Sequence, residues 1–152
     1  MIEIDESCEV RASAQVLWQV ITDFDRYADW NPFVIACAAD LREGQPIDMK
    51  VQLFKHFAQP QRETIFEVNP GVAFRYGLGP GRLGALSSLR SHEVQPRGSD
   101  QSLYRSHFRL TGWLAPLTKV WLGQRLEHGF RAMTQALVTQ AEALPPPLEP
   151  RP

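Results

Sequence analysis

Three polar side chains stand where an alternating strand pattern points inward: Glu6, Arg90 and His92. A buried charge is costly unless it is paired or hydrogen-bonded, so three on one face need a reason. One reason is chemistry. His92 could act as a general base or orient a ligand carbonyl, with Glu6 or Arg90 as its partner. Tyr76, in the same inward phase of another strand, is the second acid–base candidate. The alternative is that the strand phase is displaced by one residue, or that the three lie in water at the open end of a sheet.

The remaining reactive residue types point to no familiar site. His56, His107 and His128 have no partner four residues away, so metal ligation from one helix face is unsupported. Asp23, Asp25 and Asp29 invite a calcium reading, but the glycine and closing glutamate of a calcium loop are missing, so no metal is expected. There is no GxSxG elbow, and neither Cys8 nor Cys37 has a histidine at a recognised catalytic spacing. The run GPGRLG, Gly79 to Gly84, matches a dinucleotide fingerprint in letters only. Pro80 sits inside it and a strand follows where a helix is required, so a flexible hairpin loop that lids a cavity mouth is the better account. No cofactor is expected.

The elements that position these groups follow from periodicity. From Leu122 the apolar residues Leu126, Phe130, Met133, Leu137, Ala141 and Leu144 recur at steps of three and four, the stripe of a helix buried on one face. Pro116 suits its first turn and Pro145 to Pro147 end it. Residues 2 to 10 alternate as a half-buried strand, and Ser13 can cap a short helix from Ala14 to about Phe24. FDRYADWNPF, from Phe24 to Phe33, ends on a turn-forming Asn-Pro. Further strands are expected around Ile47 to Leu53, at Thr64, Phe66 and Val68 (inward, against outward Glu63 and Glu67), at Val72 to Tyr76, at Leu89 to Val94 and at Tyr104 to Leu110. Phe33 to Ala39 would make a seventh. Short turns such as Asn69-Pro70-Gly71 between them imply antiparallel pairing. Strand, short helix, a run of strands and a long helix make an α+β fold with the helices on one face of an antiparallel sheet.

The bounds are consistent with that. A chain of 152 residues, 43% hydrophobic and 22% charged, suits one soluble domain. We expect that domain over 1–144 and a disordered Pro-rich tail over 145–152. A net charge of −1 gives no electrostatic footprint for nucleic acid or an anionic membrane. No apolar run approaches a membrane span, and the acidic, alternating start does not read as a signal peptide. Integral membrane association is therefore not expected, and a cytoplasmic location is.

The segment DFDRYADWNP after the first helix, the turn VNPG before an aromatic strand and the ending GFRAMTQALVTQAEAL, in that order, resemble the SRPBCC superfamily. This is the START-like, pollen-allergen-like helix-grip group, and the chain is most similar to its polyketide cyclase/dehydrase branch over residues 2 to 144. The resemblance implies a curved antiparallel sheet of six to seven strands gripping the C-terminal helix around an apolar cavity. Members bind lipids, sterols, polyketides and other hydrophobic molecules; some cyclise or dehydrate them, others deliver quinones or act as co-chaperones. Where many members keep a polar residue near the end of the last strand, this chain has Phe108, which weakens acid–base catalysis and favours apolar binding.

The expected ligand-binding set is Val51, Leu53, Phe66, Phe74, Tyr76, Arg90, His92 and Phe108 from the strands, with Trp30, Leu117 and Trp121 flanking the mouth. Each apolar member could equally be plain core. The leading function is binding of a small hydrophobic molecule of lipid, polyketide or isoprenoid class. The alternatives are a cofactor-independent cyclase or dehydratase using His92 and Tyr76, or a co-chaperone-like interaction domain whose cavity is only core. The sequence alone names neither the ligand nor the oligomeric state.

Overall fold

The structure is a computed structural model that describes residues 1–147. Strand β1 (Ile2–Val10) buries Ile2, Ile4 and Val10 and exposes Glu3 and Asp5, as the alternation requires. Helix α1 (Ala14–Thr22) is capped by Ser13, whose Oγ accepts from the Val16 N–H at 3.2 Å. The aromatic segment forms a turn of 3₁₀ helix at Phe24–Arg26 and a short helix α2 (Tyr27–Trp30). Six strands follow: β2 (Val34–Ala39), β3 (Pro46–Phe54), β4 (Phe57–Asn69), β5 (Ala73–Gly77), β6 (Ser87–Pro96) and β7 (Ser102–Thr111). Helix α3 (Ala115–Ala143) closes the fold.

The seven strands form one antiparallel sheet in the order β1-β7-β6-β5-β4-β3-β2. α3 touches β1 and β7 at one end of that order and β3 near the other, which only a strongly curved sheet permits. The grip is therefore real. Leu126, Phe130, Met133, Leu137 and Ala141 are buried on α3, the periodic stripe read from the sequence, while Leu144 lies just past the helix end and is exposed.

One strand departs from expectation. In β4 it is Glu63 and Ile65 that are buried, whereas Phe66 is 44% exposed. The register against β5 shifts between Ile65 and Glu67, and such an irregularity moves side chains to the opposite face. Val72, expected to face inward, precedes β5 and is exposed. Of the expected tail, residues 148–152 lie outside the described residues. Among the described residues no helix is long and apolar enough to cross a membrane.

Candidate functional site

Between α3 and the inner face of the sheet lies a cavity of about 70 Å³. Its apolar walls are Phe33 and Val34, Met49, Val51 and Leu53 of β3, Phe108 of β7, and Leu126 and Phe130 of α3. Asn31 builds the first of these walls. Its buried Oδ1 accepts from the N–H groups of Phe33 (3.0 Å) and Val34 (2.9 Å), turning the chain out of α2 so that both side chains point inward. Four polar residues face the same space: Gln61 and Glu63 from β4, Tyr76 from β5 and Arg90 from β6.

Arg90 is 2% exposed, and its Nε, Nη1 and Nη2 find no acceptor among the described residues. Its guanidinium lies 4.1 Å over the Phe130 ring, a cation–π contact that offsets only part of the desolvation. Glu63 is also buried, with Gln61 Nε2 donating to its Oε1 at 2.7 Å. Burial pushes the Glu63 carboxyl up to about 7, although the nearby Arg90 charge pulls it down. Near neutral pH this group can therefore both give and take a proton.

Tyr76 carries the polar wall into the core. Its hydroxyl is 3.4 Å from His92 Nε2, and His92 Nδ1 is 2.7 Å from the Tyr104 hydroxyl. Burial, with the Arg90 charge second, holds the His92 pKa well below the usual histidine range, so the ring is neutral. A neutral imidazole has one donor and one acceptor nitrogen, so the chain Tyr104–His92–Tyr76 is satisfied in either direction. His92 reaches the cavity only through Tyr76.

The cavity thus gathers Val51, Leu53, Tyr76, Arg90 and Phe108 from the expected set and leaves the others out. Phe66 faces outward because of the β4 irregularity. Phe74 is fully buried, stacked on His92 at 4.8 Å, and is absent from the wall. Trp30 lines a separate groove with Gln19, Arg26 and Gln140 beside the far end of α3. Leu117 and Trp121 are 57% and 75% exposed, on the outer side of α3. Glu6 turns to Arg131 of α3, 3.8 Å away, rather than to the cavity. The loop holding GPGRLG packs at the start of α3, with Trp113 N–H donating to Gly84 O at 3.4 Å, and contributes nothing to the wall. Sequence reasoning missed Phe33, Val34, Met49, Gln61 and Glu63, and it read Leu126 and Phe130 only as core. Alternation counted back from Ile65 would have found Glu63 and Gln61.

An open groove of about 390 Å³ runs outside the cavity along Pro32, Gln52 and Gln124 and shares Phe33 and Leu53 with it. These two side chains form the partition. Phe33 packs against the bare backbone of Gly129, where an added Cβ would sit 2.2 Å from the ring. Gly129→Ala should therefore displace Phe33 at a cost of about 1–3 kcal/mol. The check is a denaturant melt paired with uptake of an apolar dye: lower stability with greater uptake is expected, and an unchanged melt would show that the ring has room to move.

On the outer face of the sheet, Glu3, Asp5 and His107 gather within ligand distance of one another. A hydrogen bond between His107 Nδ1 and Asp5 Oδ1, 2.6 Å, accounts for that arrangement.

Comparison with known proteins agrees with the geometry. The structure aligns with an aromatase/cyclase, Zhui, from a Streptomyces species at 14% identity and TM-score 0.75, covering 92% of this chain and 93% of that one. It aligns with a START superfamily protein from Mycobacterium smegmatis at 20% identity and TM-score 0.67, covering 91% and 97%. A third match is norcoclaurine synthase from Thalictrum flavum in complex with dopamine and hydroxybenzaldehyde, 18% identical, TM-score 0.65, covering 91% and 84%. Identities this low speak for the fold alone, the START-like helix grip. No curated protein matches the sequence. The profile of the family described as polyketide cyclase / dehydrase and lipid transport, however, matches residues 1–142. With nearly the whole length matched and the helix-grip cavity in place, the chain belongs to that family.

Proposed function

We propose that the chain binds a small hydrophobic molecule of the lipid, polyketide or isoprenoid class that carries at least one carbonyl, carboxylate or phenolate oxygen. The observation that carries this reading is Arg90, a guanidinium with no hydrogen-bond acceptor among the described residues, on the wall of a largely apolar cavity. Such a group lowers the stability of the free protein and gains most from a guest that brings oxygen to it. Phe33, Leu53, Leu126 and Phe130 would enclose the guest's apolar body. The resting cavity is far below the roughly 300 Å³ of a typical ligand pocket, so a guest of that size enters as Phe33 and Leu53 part from α3.

Native mass spectrometry against the denatured mass tests this directly. We expect a mass excess that is lost on denaturation and absent from Arg90→Met. A bare mass, together with no thermal shift from a panel of hydroxylated aromatic ketones and fatty acids, would reject the reading.

A second reading, a cofactor-independent cyclase or dehydratase, is favoured by Glu63. A carboxyl pushed up to about 7 beside Arg90 and Tyr76 is suited to take a proton from the carbon next to an Arg90-bound carbonyl. In that reading Tyr76, backed by His92, donates to the developing oxyanion. Glu63→Gln would then end turnover yet leave ligand retention intact.

A further inference from the structure

At one end of the molecule the surface is apolar in a way the rest is not. The outer side of α3 is polar from Gln124 onward, with Glu127, His128 and Arg131, but in its first turns it carries Leu117, Val120 and Trp121. These are 57%, 83% and 75% exposed, and Trp113, just before the helix, is 65% exposed. The loop packed on the start of the helix adds Leu83, 95% exposed on a left-handed backbone at φ 58°. A branched side chain in that conformation is held out into solvent at a cost in backbone strain. The β3–β4 turn adds Phe57 from the other side, tied to α3 by Arg125, which lies 4.9 Å over the Phe54 ring and donates to Leu53 O at 3.4 Å.

The charges within this patch are of one sign, the next acid along α3 being Glu127. Lys55, Arg82, Lys119 and Arg125 lie within it or at its edge, and the three stretches that carry it, 54–57, 82–85 and 112–125, contain no Asp or Glu. The overall charge of −1 conceals this segregation, because the acids are elsewhere. Protruding tryptophans and aliphatic side chains ringed by cations are the chemistry of the interface of an anionic bilayer, where indoles sit at headgroup level and lysines and arginines meet phosphate. The groove outside the Phe33–Leu53 partition, lined by Arg125 and Gln124, abuts the same patch.

We infer that this end docks peripherally on anionic phospholipid membranes, with Trp113, Leu117, Val120, Trp121 and Leu83 entering the headgroup layer. Docking there sets the groove and the partition beside the lipid, so an apolar guest would pass between bilayer and cavity without crossing open water. The docking itself is independent of what the cavity holds.

The test is co-sedimentation of the full chain with vesicles of phosphatidylcholine alone or with about 30% phosphatidylglycerol. Tryptophan emission is recorded in parallel. Binding to the anionic vesicles is expected, with emission shifted to the blue as Trp113 and Trp121 leave water, and with marked weakening at about 1 M salt. Trp113→Ser with Trp121→Ser should abolish sedimentation. The pair Arg82→Glu and Lys119→Glu, which keeps both tryptophans, should weaken it by at least about 25-fold, from roughly fivefold per cation. All four positions are exposed, so the variants should keep the parent melting curve. No sedimentation with anionic vesicles would overturn the inference, as would binding that survives both variants. So would concentration-dependent dimerisation in vesicle-free buffer that the tryptophan variant abolishes, since the patch would then belong to a second copy of the chain.

Discussion

Arg90→Met is expected to make the free protein more stable and a poorer binder. The wild-type guanidinium is buried, and none of its three nitrogens finds an acceptor among the described residues. Replacing buried charge by a well-packed apolar side chain typically gains about 1–4 kcal/mol. The lost contact with Phe130 subtracts about 0.5–2 kcal/mol from that. A net gain of about 2 kcal/mol would raise the melting temperature by roughly 5 °C in a chain of this size. The melt belongs near pH 5, where Glu63 is protonated and the removal of its cationic neighbour does not complicate the comparison. Ligand affinity should fall about tenfold to a hundredfold, the worth of one charge-assisted hydrogen bond. The two effects in opposite directions are the signature of a group retained for binding. A variant destabilised by several kcal/mol would instead make Arg90 a structural residue and remove the basis of the proposed function.

Glu63→Gln is expected to change how stability depends on pH. The folded-state carboxyl sits near 7 against an unfolded value of about 4.5, so the folded state holds its proton more tightly. Its contribution is fully present below about pH 4.5 and is lost as pH rises toward and through 7. By linkage the loss approaches about 3 kcal/mol. Glutamine mimics the protonated acid at every pH and removes that slope. Asp48, held down by its hydrogen bond to Arg62, and Glu142, held down first by the Arg11 backbone N–H, act in the opposite direction. Both persist in the variant, so they cancel in the difference. Urea midpoints of the two proteins should coincide near pH 4.5 and diverge by pH 8 in favour of Glu63→Gln. Parallel curves would mean that Glu63 ionises freely in the fold, and the acid–base reading would lose its support.

The frame of the molecule was legible because it is periodic. The stripe of α3 and the alternation of β1 each repeat over many residues, so single exceptions do not disturb them. Asn31-Pro32 was readable as a turn, although not as the clamp that turns Phe33 and Val34 inward. The site was less legible, for local reasons. One irregularity after Ile65 put Glu63 inside and Phe66 outside, and aromatic Phe66 was the more persuasive inward candidate on hydrophobicity alone. Arg90 and His92 were read in the correct phase, yet only three dimensions separate a side chain on the cavity wall from one behind Tyr76. Leu117 and Trp121 were expected at the mouth because the segment that carries them was read as flanking it. Here the first turns of α3 present them to solvent, and the net charge averaged away the cations around them.

The partition of Phe33 and Leu53 across the cavity has a kinetic consequence. A guest larger than the resting space must wait for a conformation in which the two side chains have separated. Its apparent dissociation constant is then the intrinsic one divided by the open fraction. Its rate of arrival stops rising with concentration once capture outpaces opening. Departure waits on the same motion, so chemically different guests leave at rates set by the protein. One aromatic ring, one leucine and one glycine would thus act as a clock on exchange.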